Sequence, residues 1–417
     1  MQANSQSRDY FWNTLGVFLQ NAISPLLLIV VTRINGVETS GVFSFAFALS
    51  IVFWAFAMWG GRTYQVSDVR EEFVSRSYVF TRLILAVVTV IGALLFSVAN
   101  NYDAIKTGVI VLLVLFKVVE SIADAVYGVL QKKGYLYVSG KSLVYKAVVG
   151  FAAFLIVDIL TGDILLSCMA IVVVNAVILL SYDMRLARKM EDITFSYRRL
   201  GQYAKDAVTI LRRCSAVFAV IFLSMFSLNI PRYFVDVYHG QQVAYFGILA
   251  MPITLVALFM SFVLQPKIVG LSTLYERKQY VAYNRVVLRL LATTLVVGIF
   301  VLAGAFLVGA PLLRLIFGMD FSDYKISLMT VVAGGIVNAL VSVFINILVI
   351  MRRFKSQFYI LLATNIVLLL LSWSIIREYG LNGGFGLFVF TNVIQFGLLF
   401  WVYANLLRKK QHDLSQS

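Results

Sequence analysis

The chain has 417 residues, 61% of them hydrophobic and 13% charged, with a net charge of +15 at pH 7 and a mean hydropathy of +0.89. Soluble domains run at about 45–50% apolar and about 25% charged, so the charges are too few to coat a globule of this size, and a soluble enzyme, a disordered chain and a disulfide-built scaffold are excluded. Twelve spans of about 20 residues would use most of the chain and leave only short connections, so the expected fold is an all-α integral membrane protein of twelve transmembrane helices.

Met1 to Asp9 is polar, and the apolar run behind it, 10–32, carries no A-x-A cleavage signal. It reads as a first membrane helix and not as a removed leader. Asn13, Gln20 and Ser24 share one face of it, and Pro25 follows, where a missing hydrogen bond bends a helix. Arg33 stands at the outer end. The second run, 41–60, ends before Arg62, and the third covers 78–99. The fourth, 107–130, holds most of the intramembrane charge. Lys117, Glu120, Ser121, Asp124, Gly128 and Gln131 fall within about 100° of a helical wheel. Ionisable groups within spans are costly and face interior cavities. This stripe therefore reads as a cavity wall for a charged or sugar-bearing substrate, or for a coupling cation. The alternative is a self-neutralising Lys117–Glu120 pair that fixes helix packing, although Asp124 has no partner close by in the sequence. Runs at 142–162 and 164–182 complete a first six-helix lobe, 1–182. A basic segment, 183–207, with Arg185, Arg188, Lys189, Arg198, Arg199 and Lys205, reads as a cytoplasmic linker holding an amphipathic helix at the inner surface.

The second lobe, 208–417, has runs at 208–234, 242–265, 286–309, 326–350, 356–376 and 381–406. Ser227, Asn229 and Pro231 in its first run echo the polar, proline-bearing first span, and Arg232 comes next. Interrupted helices at matching places in two halves point to a transport site, which makes Pro25 and Pro231 candidate gating residues. Asn338, Ser342 and Asn346 are spaced i, i+4, i+8, as a cavity lining or as polar glue between helices. An internal repeat supports the division. Gly41, Arg62, Glu71 and Arg82 correspond to Gly247, Lys267, Glu276 and Arg289, and Lys132-Lys133 corresponds to Arg352-Arg353. Two such lobes are related by a pseudo-two-fold axis along the membrane normal, with the substrate site expected between them.

Twelve spans put both ends on one side. Of the 35 Lys and Arg residues, only Arg33, Lys106, Arg232, Arg314, Lys325 and Arg377 fall on the other side, and Lys117 lies within a span. Arg62, Arg70, Arg76, Arg82, Lys141 and Lys146 are counted with the inner loops. This positive-inside bias makes both termini cytoplasmic. Topology and anionic headgroups account for the positive charge, so no nucleic-acid partner is needed.

Soluble-type motifs are missing. Cys168 and Cys214 give neither a disulfide framework nor metal-ligand spacing, and His239 and His412 cannot complete a zinc site with them. No metal and no cofactor is expected. Gly134 to Ser142 looks like a phosphate loop but has one residue too many between its glycines, which speaks against direct ATP drive. The outer loops are short, which disfavours a membrane glycan polymerase or ligase, and Asp236 and His239 read as loop residues. Arginine suits phosphate, because its planar fork binds two oxygens at once. Arg33, Arg62, Lys117 and Arg232 are therefore candidate anion contacts, with snorkelling to the headgroups as the alternative for the arginines.

Several stretches together resemble a known family. Gly36-Val37-Glu38-Thr39-Ser40-Gly41-Val42-Phe43-Ser44, behind Thr32-Arg33, is similar to the first outer turn of Wzx-type polysaccharide flippases of the multidrug/oligosaccharidyl-lipid/polysaccharide exporter superfamily. Ile230-Pro231-Arg232, Gly247, Gln265-Pro266-Lys267 and Glu276-Arg277-Lys278 resemble that family's second-half signature, and Ile316-Phe317-Gly318 before Phe321 its 9–10 outer loop. Glu120, Asp124 and Gln131, ahead of Lys132-Lys133-Gly134-Tyr135, look like its fourth helix and following loop. The resemblance implies two lobes around a partly cationic cavity. It also implies an oligosaccharide linked to undecaprenyl pyrophosphate, moved from the inner to the outer leaflet of a bacterial inner membrane by alternating access. The lipid tail would stay among the membrane lipids, and a glycan polymerase and a chain-length regulator would be partners in making O-antigen lipopolysaccharide or capsule. Glu120 and Asp124 would then meet sugar hydroxyls or a coupling H⁺ or Na⁺, joined by Asn13, Gln20 and Asn338. This chain departs from the pattern in having few cavity cations and in mixing one lysine with two carboxylates on the fourth span. A cation-coupled multidrug exporter of the same superfamily is the alternative.

Overall fold

A computed structural model of the protein describes residues 2–68 and 72–415. Arg70 and Glu71 lie outside the described residues, as do the side chains of Gln265 and Pro266. The described residues form helices and connections, with no strand among them. In chain order the helices are α1 (Gln2–Ile34), α2 (Gly36–Met58), α3 (Gly61–Ser67), α4 (Ser75–Ala99), α5 (Ala104–Lys132), α6 (Leu136–Thr161), α7 (Ile164–Ile178), α8 (Met184–Met190), α9 (Leu200–Tyr238), α10 (Val243–Leu249), α11 (Met251–Glu276), α12 (Tyr280–Gly304), α13 (Ala310–Phe317), α14 (Lys325–Ile350) and α15 (Phe354–Ser415). One-turn π segments, Leu179–Asp183 and Ala305–Gly309, join α7 to α8 and α12 to α13. Among the described residues, 9 helical stretches are long and apolar enough to cross a membrane. The chain is a multi-pass membrane protein, because apolar helices of that length satisfy their own backbone hydrogen bonds in lipid. At 29 residues α5 is also long enough to span, but Lys117, Glu120 and Asp124 interrupt its apolar character.

Local chemistry sets the helix ends. Asp103 accepts a hydrogen bond from the Lys106 N–H at 2.9 Å and caps α5. Asp163 does the same for α7, taking the Leu165 N–H at 2.7 Å. Helix α15 is interrupted at Gly380, whose φ of 54° and ψ of −133° are not helical. There the Gln242 side-chain oxygen accepts the Leu381 N–H at 2.8 Å. Pro25 and Pro231 both sit inside continuous helices, α1 and α9. The breaks fall elsewhere, at the α2–α3 turn and at Gly380.

The chain divides into two compact units, Met1–Met225 and Phe226–Ser417, with the boundary inside α9. In the first, α5 is the central helix, packed against α2, α3, α4, α6 and α7. Its core joins Val126, Leu130 and Tyr127 to Leu143, Leu179 and Ala187. In the second, α14 is central, packed against α11, α12 and α15, around Tyr283, Phe344, Leu348 and Leu399. The segment after α7 holds α8, whose Ala187 is buried while Arg185, Arg188 and Lys189 are exposed.

Candidate functional site

The polar stripe of α5 lies in the middle of the first unit. Lys117 and Glu120 are one helical turn apart, and Lys117 Nζ donates to Glu120 Oε2 at 2.8 Å. Their side chains are only 13% and 8% exposed, so most of the attraction is felt in a medium of low dielectric. Lys117 Nζ also lies 5.2 Å from the Phe47 ring centre and 4.9 Å from that of Phe116, within cation–π range. The packing alternative for these two residues is thus realised as a contact.

Asp124 finds its partner 62 residues away. The Arg62 N–H donates to Asp124 Oδ2 at 3.1 Å, and Arg62 Nε stands 3.6 Å from Asp124 Oδ1. Arg62 Nη1 is buried and has no hydrogen-bond partner among the described residues. Helix α3 brings it there. Gln65, one turn further on, donates to the Ala125 carbonyl at 3.0 Å. Gly128 makes room for that contact, since a Cβ on it would lie 2.3 Å from Gln65 Oε1. Beyond α3, Asp68 accepts hydrogen bonds from Glu72 N–H (3.1 Å), Phe73 N–H (3.2 Å) and Tyr78 Oη–H (2.9 Å). Burial alone would raise its carboxyl pKa. The hydrogen bonds from Glu72, Tyr78 and Phe73, with Lys132 nearby, carry it below the ordinary carboxylate value instead. Lys132 Nζ donates to the Asp68 carbonyl at 3.0 Å and ties this loop to the end of α5.

The remaining candidates sit on other helices. Asn13 and Gln20 are half-buried on α1, which packs chiefly on α6, and Asn13 Oδ1 is buried without a hydrogen-bond partner among the described residues. Arg33 is exposed at the end of the same helix. In the second unit, Arg232 follows a buried Pro231 and lies 5.5 Å from the Phe246 ring centre. Asn338 Nδ2 donates to Asn392 Oδ1 at 2.9 Å. Gln395 Nε2 reaches Thr364 Oγ1 at 2.9 Å and Ser227 Oγ at 3.2 Å. Around Asn338 and Gln395 these hydrogen bonds join neutral amides and hydroxyls, in contrast to the ion pairs of α5.

The chain is 21% identical over 373 residues to the capsular polysaccharide biosynthesis protein CapF of Staphylococcus aureus, covering 88% of this chain and 92% of that one. Among solved structures it is similar to a lipid II flippase, MurJ, in an inward closed conformation, with a TM-score of 0.69, 14% identity, and coverage of 93% of this chain and 86% of that chain. An inward-facing MATE family multidrug resistance transporter of the MOP superfamily matches with a TM-score of 0.62 and 15% identity, over 98% and 96% of the two chains. No family model matches the chain. The chain shares the fold of these flippase and transporter structures. The resemblance carried by Gly36–Ser44 and by Ile230-Pro231-Arg232 is to the polysaccharide flippases of that superfamily.

Within this MOP fold, two interior basic residues had been counted with the inner loops, and the structure corrects both. Lys146 is in α6, only 5% exposed. It donates to Asp183 Oδ2 at 2.5 Å and to Tyr127 Oη at 2.9 Å, and Tyr127 Oη is 2.9 Å from Ser142 Oγ. Asp183 is fully buried in the π segment. Arg82 is 6% exposed within α4. Its Nη1 donates to the Ala57 carbonyl at 3.2 Å and to the Met58 carbonyl. The available signal was that each charge lies several residues inside a helix-length apolar run. The positive-inside count assigned them to loops because it weighs charge and not depth. His239 is a connecting residue, its Nε2 3.2 Å from the Arg377 carbonyl.

Proposed function

We propose that this chain is a flippase that moves a polyprenyl-pyrophosphate-linked oligosaccharide from the inner to the outer leaflet of a bacterial plasma membrane by alternating access, with both termini in the cytoplasm. The observation that carries this reading is Arg62. Its Nη1 is a buried donor with no partner among the described residues, beside a carboxylate it meets at 3.6 Å. An unsatisfied buried donor costs about 1–3 kcal/mol, more when charged, and a phosphoryl oxygen would satisfy it. Lys117, Arg33 and Arg232 are the further candidate contacts. Glu120 and Asp124 would take up sugar hydroxyls or a coupling H⁺ or Na⁺ as the cations turn to the pyrophosphate. Asn13, Gln20 and Asn338 offer neutral groups to the sugars, and Pro25 and Pro231 would let α1 and α9 bend. The likeness to a capsular polysaccharide biosynthesis protein and to a lipid II flippase supports a lipid-linked glycan as cargo. A membrane potential of 100 mV is worth about 2.3 kcal/mol per charge moved. It drives an anionic head outward when the inside is negative, or returns an empty, positively charged carrier inward.

The test is reconstitution into vesicles with a lipid-linked oligosaccharide, scored for leaflet exchange. Wild type should exchange it. R62A and K117A should each lose about 10- to 100-fold in exchange per folded protein in the membrane, the equivalent of one or two hydrogen bonds to a charged group. In cells both variants should lack surface polysaccharide. Unchanged polymer output from both would remove these two residues from the site. A second reading, a cation-coupled multidrug exporter, is favoured by the MATE likeness and by the two carboxylates on one helix. It expects drug efflux lost in D124N and E120Q, with no lipid exchange by wild type. A polymerase is separable by glycan chain length, since its deletion leaves single repeats at the surface whereas deletion of a flippase leaves none.

A further inference from the structure

We propose that Arg82 is a positioning residue, which holds the turn between α2 and α3 so that Arg62 is presented to Asp124. Between Met58 and Arg62 the chain passes through three residues of positive φ: Trp59 (29°), Gly60 (94°) and Gly61 (64°). A turn of this kind ends α2 early and leaves its last carbonyls without intrahelical partners. Arg82 reaches them from α4, where its Nη1 donates to the carbonyls of Ala57 and Met58. Cations are favoured at helix C-termini, where the carbonyls carry partial negative charge. No carboxylate lies within ion-pair distance of Arg82 among the described residues, Asp124 attracting it only through space, so its hydrogen-bond partners are the carbonyls at the end of α2.

The same turn is clamped from α9. The Trp59 ring stacks on Phe218 with centroids 3.7 Å apart, and its Nε1 donates to the Leu211 carbonyl at 2.9 Å. Gly60 lies so close that a Cβ on it would stand 2.5 Å from Cys214 Cβ. From this clamped turn α3 leads on, and Arg62 and Gln65 dock on Asp124 and Ala125. The repeat partner of Arg82 does not share the role, because Arg289 is exposed and α11 runs unbroken from Met251 to Glu276. The device therefore belongs to the first unit.

The inference rests on the reading of Arg62 as an anion contact, but its structural half can be tested without cargo. In a full-length C168A/C214A background, Gln65→Cys and Gly128→Cys should cross-link rapidly under mild oxidation, because shortening Gln65 removes the atoms that a Cβ on Gly128 would meet. Loss of maleimide labelling reads the rate. R82M should slow the cross-link at least about tenfold, the weight of one charge-assisted hydrogen bond. R82K, which keeps a donor, should fall between the two and serves if R82M does not reach the membrane. Equal rates in all three would overturn the proposal. In leaflet exchange, R82M should lose as much as R62A, and R62A/R82M should be no worse than R62A alone. Full additivity would mean that Arg82 acts independently of Arg62 and would also overturn the proposal. Absence of exchange by wild type would instead strike the transport reading and leave the cross-link to decide the role of Arg82.

Discussion

Arg62 and Asp124 show how little of a charged pair can be read from either residue alone. Asp124 has Arg62 on two of its atoms, yet Arg62 keeps one nitrogen buried and unsatisfied among the described residues. The pair is loose enough for the arginine to serve a second anion. Lys117 and Glu120 are closed on each other at 2.8 Å, and removing one leaves a buried charge uncompensated, at a cost of about 3–5 kcal/mol. K117M/E120M should therefore unfold at a higher temperature than either single variant, as thermal unfolding in nanodiscs would register. Asp68 gives a pH dependence of definite sign. Its folded pKa lies below the unfolded value. The stability it contributes is thus fully present above the unfolded pKa of about 3.9 and is lost as pH falls through the lower, folded value. Hydrogen exchange at the Glu72 and Phe73 amides should accelerate across that acid window in wild type and be fast throughout in D68N.

Helices α2 and α3 carry the main departure from a plain bundle. The run 41–60 was legible as one span and ends where α2 does, but neither the positive-φ turn at Trp59–Gly61 nor the separate docking helix α3 behind it was legible. Gly60 is needed both for its φ and for the closeness of Cys214. G60A should destabilise the protein by about 1–3 kcal/mol through backbone strain and overlap, measured as a lowered unfolding temperature, and it should weaken leaflet exchange along with it. G128A acts on the same docking from the α5 side. Its new Cβ displaces Gln65, with an expected cost of about 1–3 kcal/mol. The prolines were legible as residues but not as breaks, because α1 and α9 continue through them. A membrane helix tolerates proline when neighbouring groups satisfy the freed carbonyl. Both glycine breaks fall at the ends of expected runs, after 41–60 and between 356–376 and 381–406, so they were legible as run ends though not as positive-φ turns.

For the molecule as a whole, composition and hydropathy were sufficient to predict a helical, multi-pass membrane protein. The same is true of the polar face of α5, because a periodic pattern along one helix is local and needs no neighbours to be seen. The order of the loop motifs carried the resemblance to polysaccharide flippases. Pairings and burial were not legible. Arg62 meets Asp124, Arg82 caps α2 and Lys146 meets Asp183 across stretches of chain whose contacts depend on which helices become neighbours. A charge near the end of an apolar run looks the same in sequence whether it reaches water or turns inward. Only packing against a second helix removes the water, and with the water gone a basic residue must find a carboxylate or a helix end.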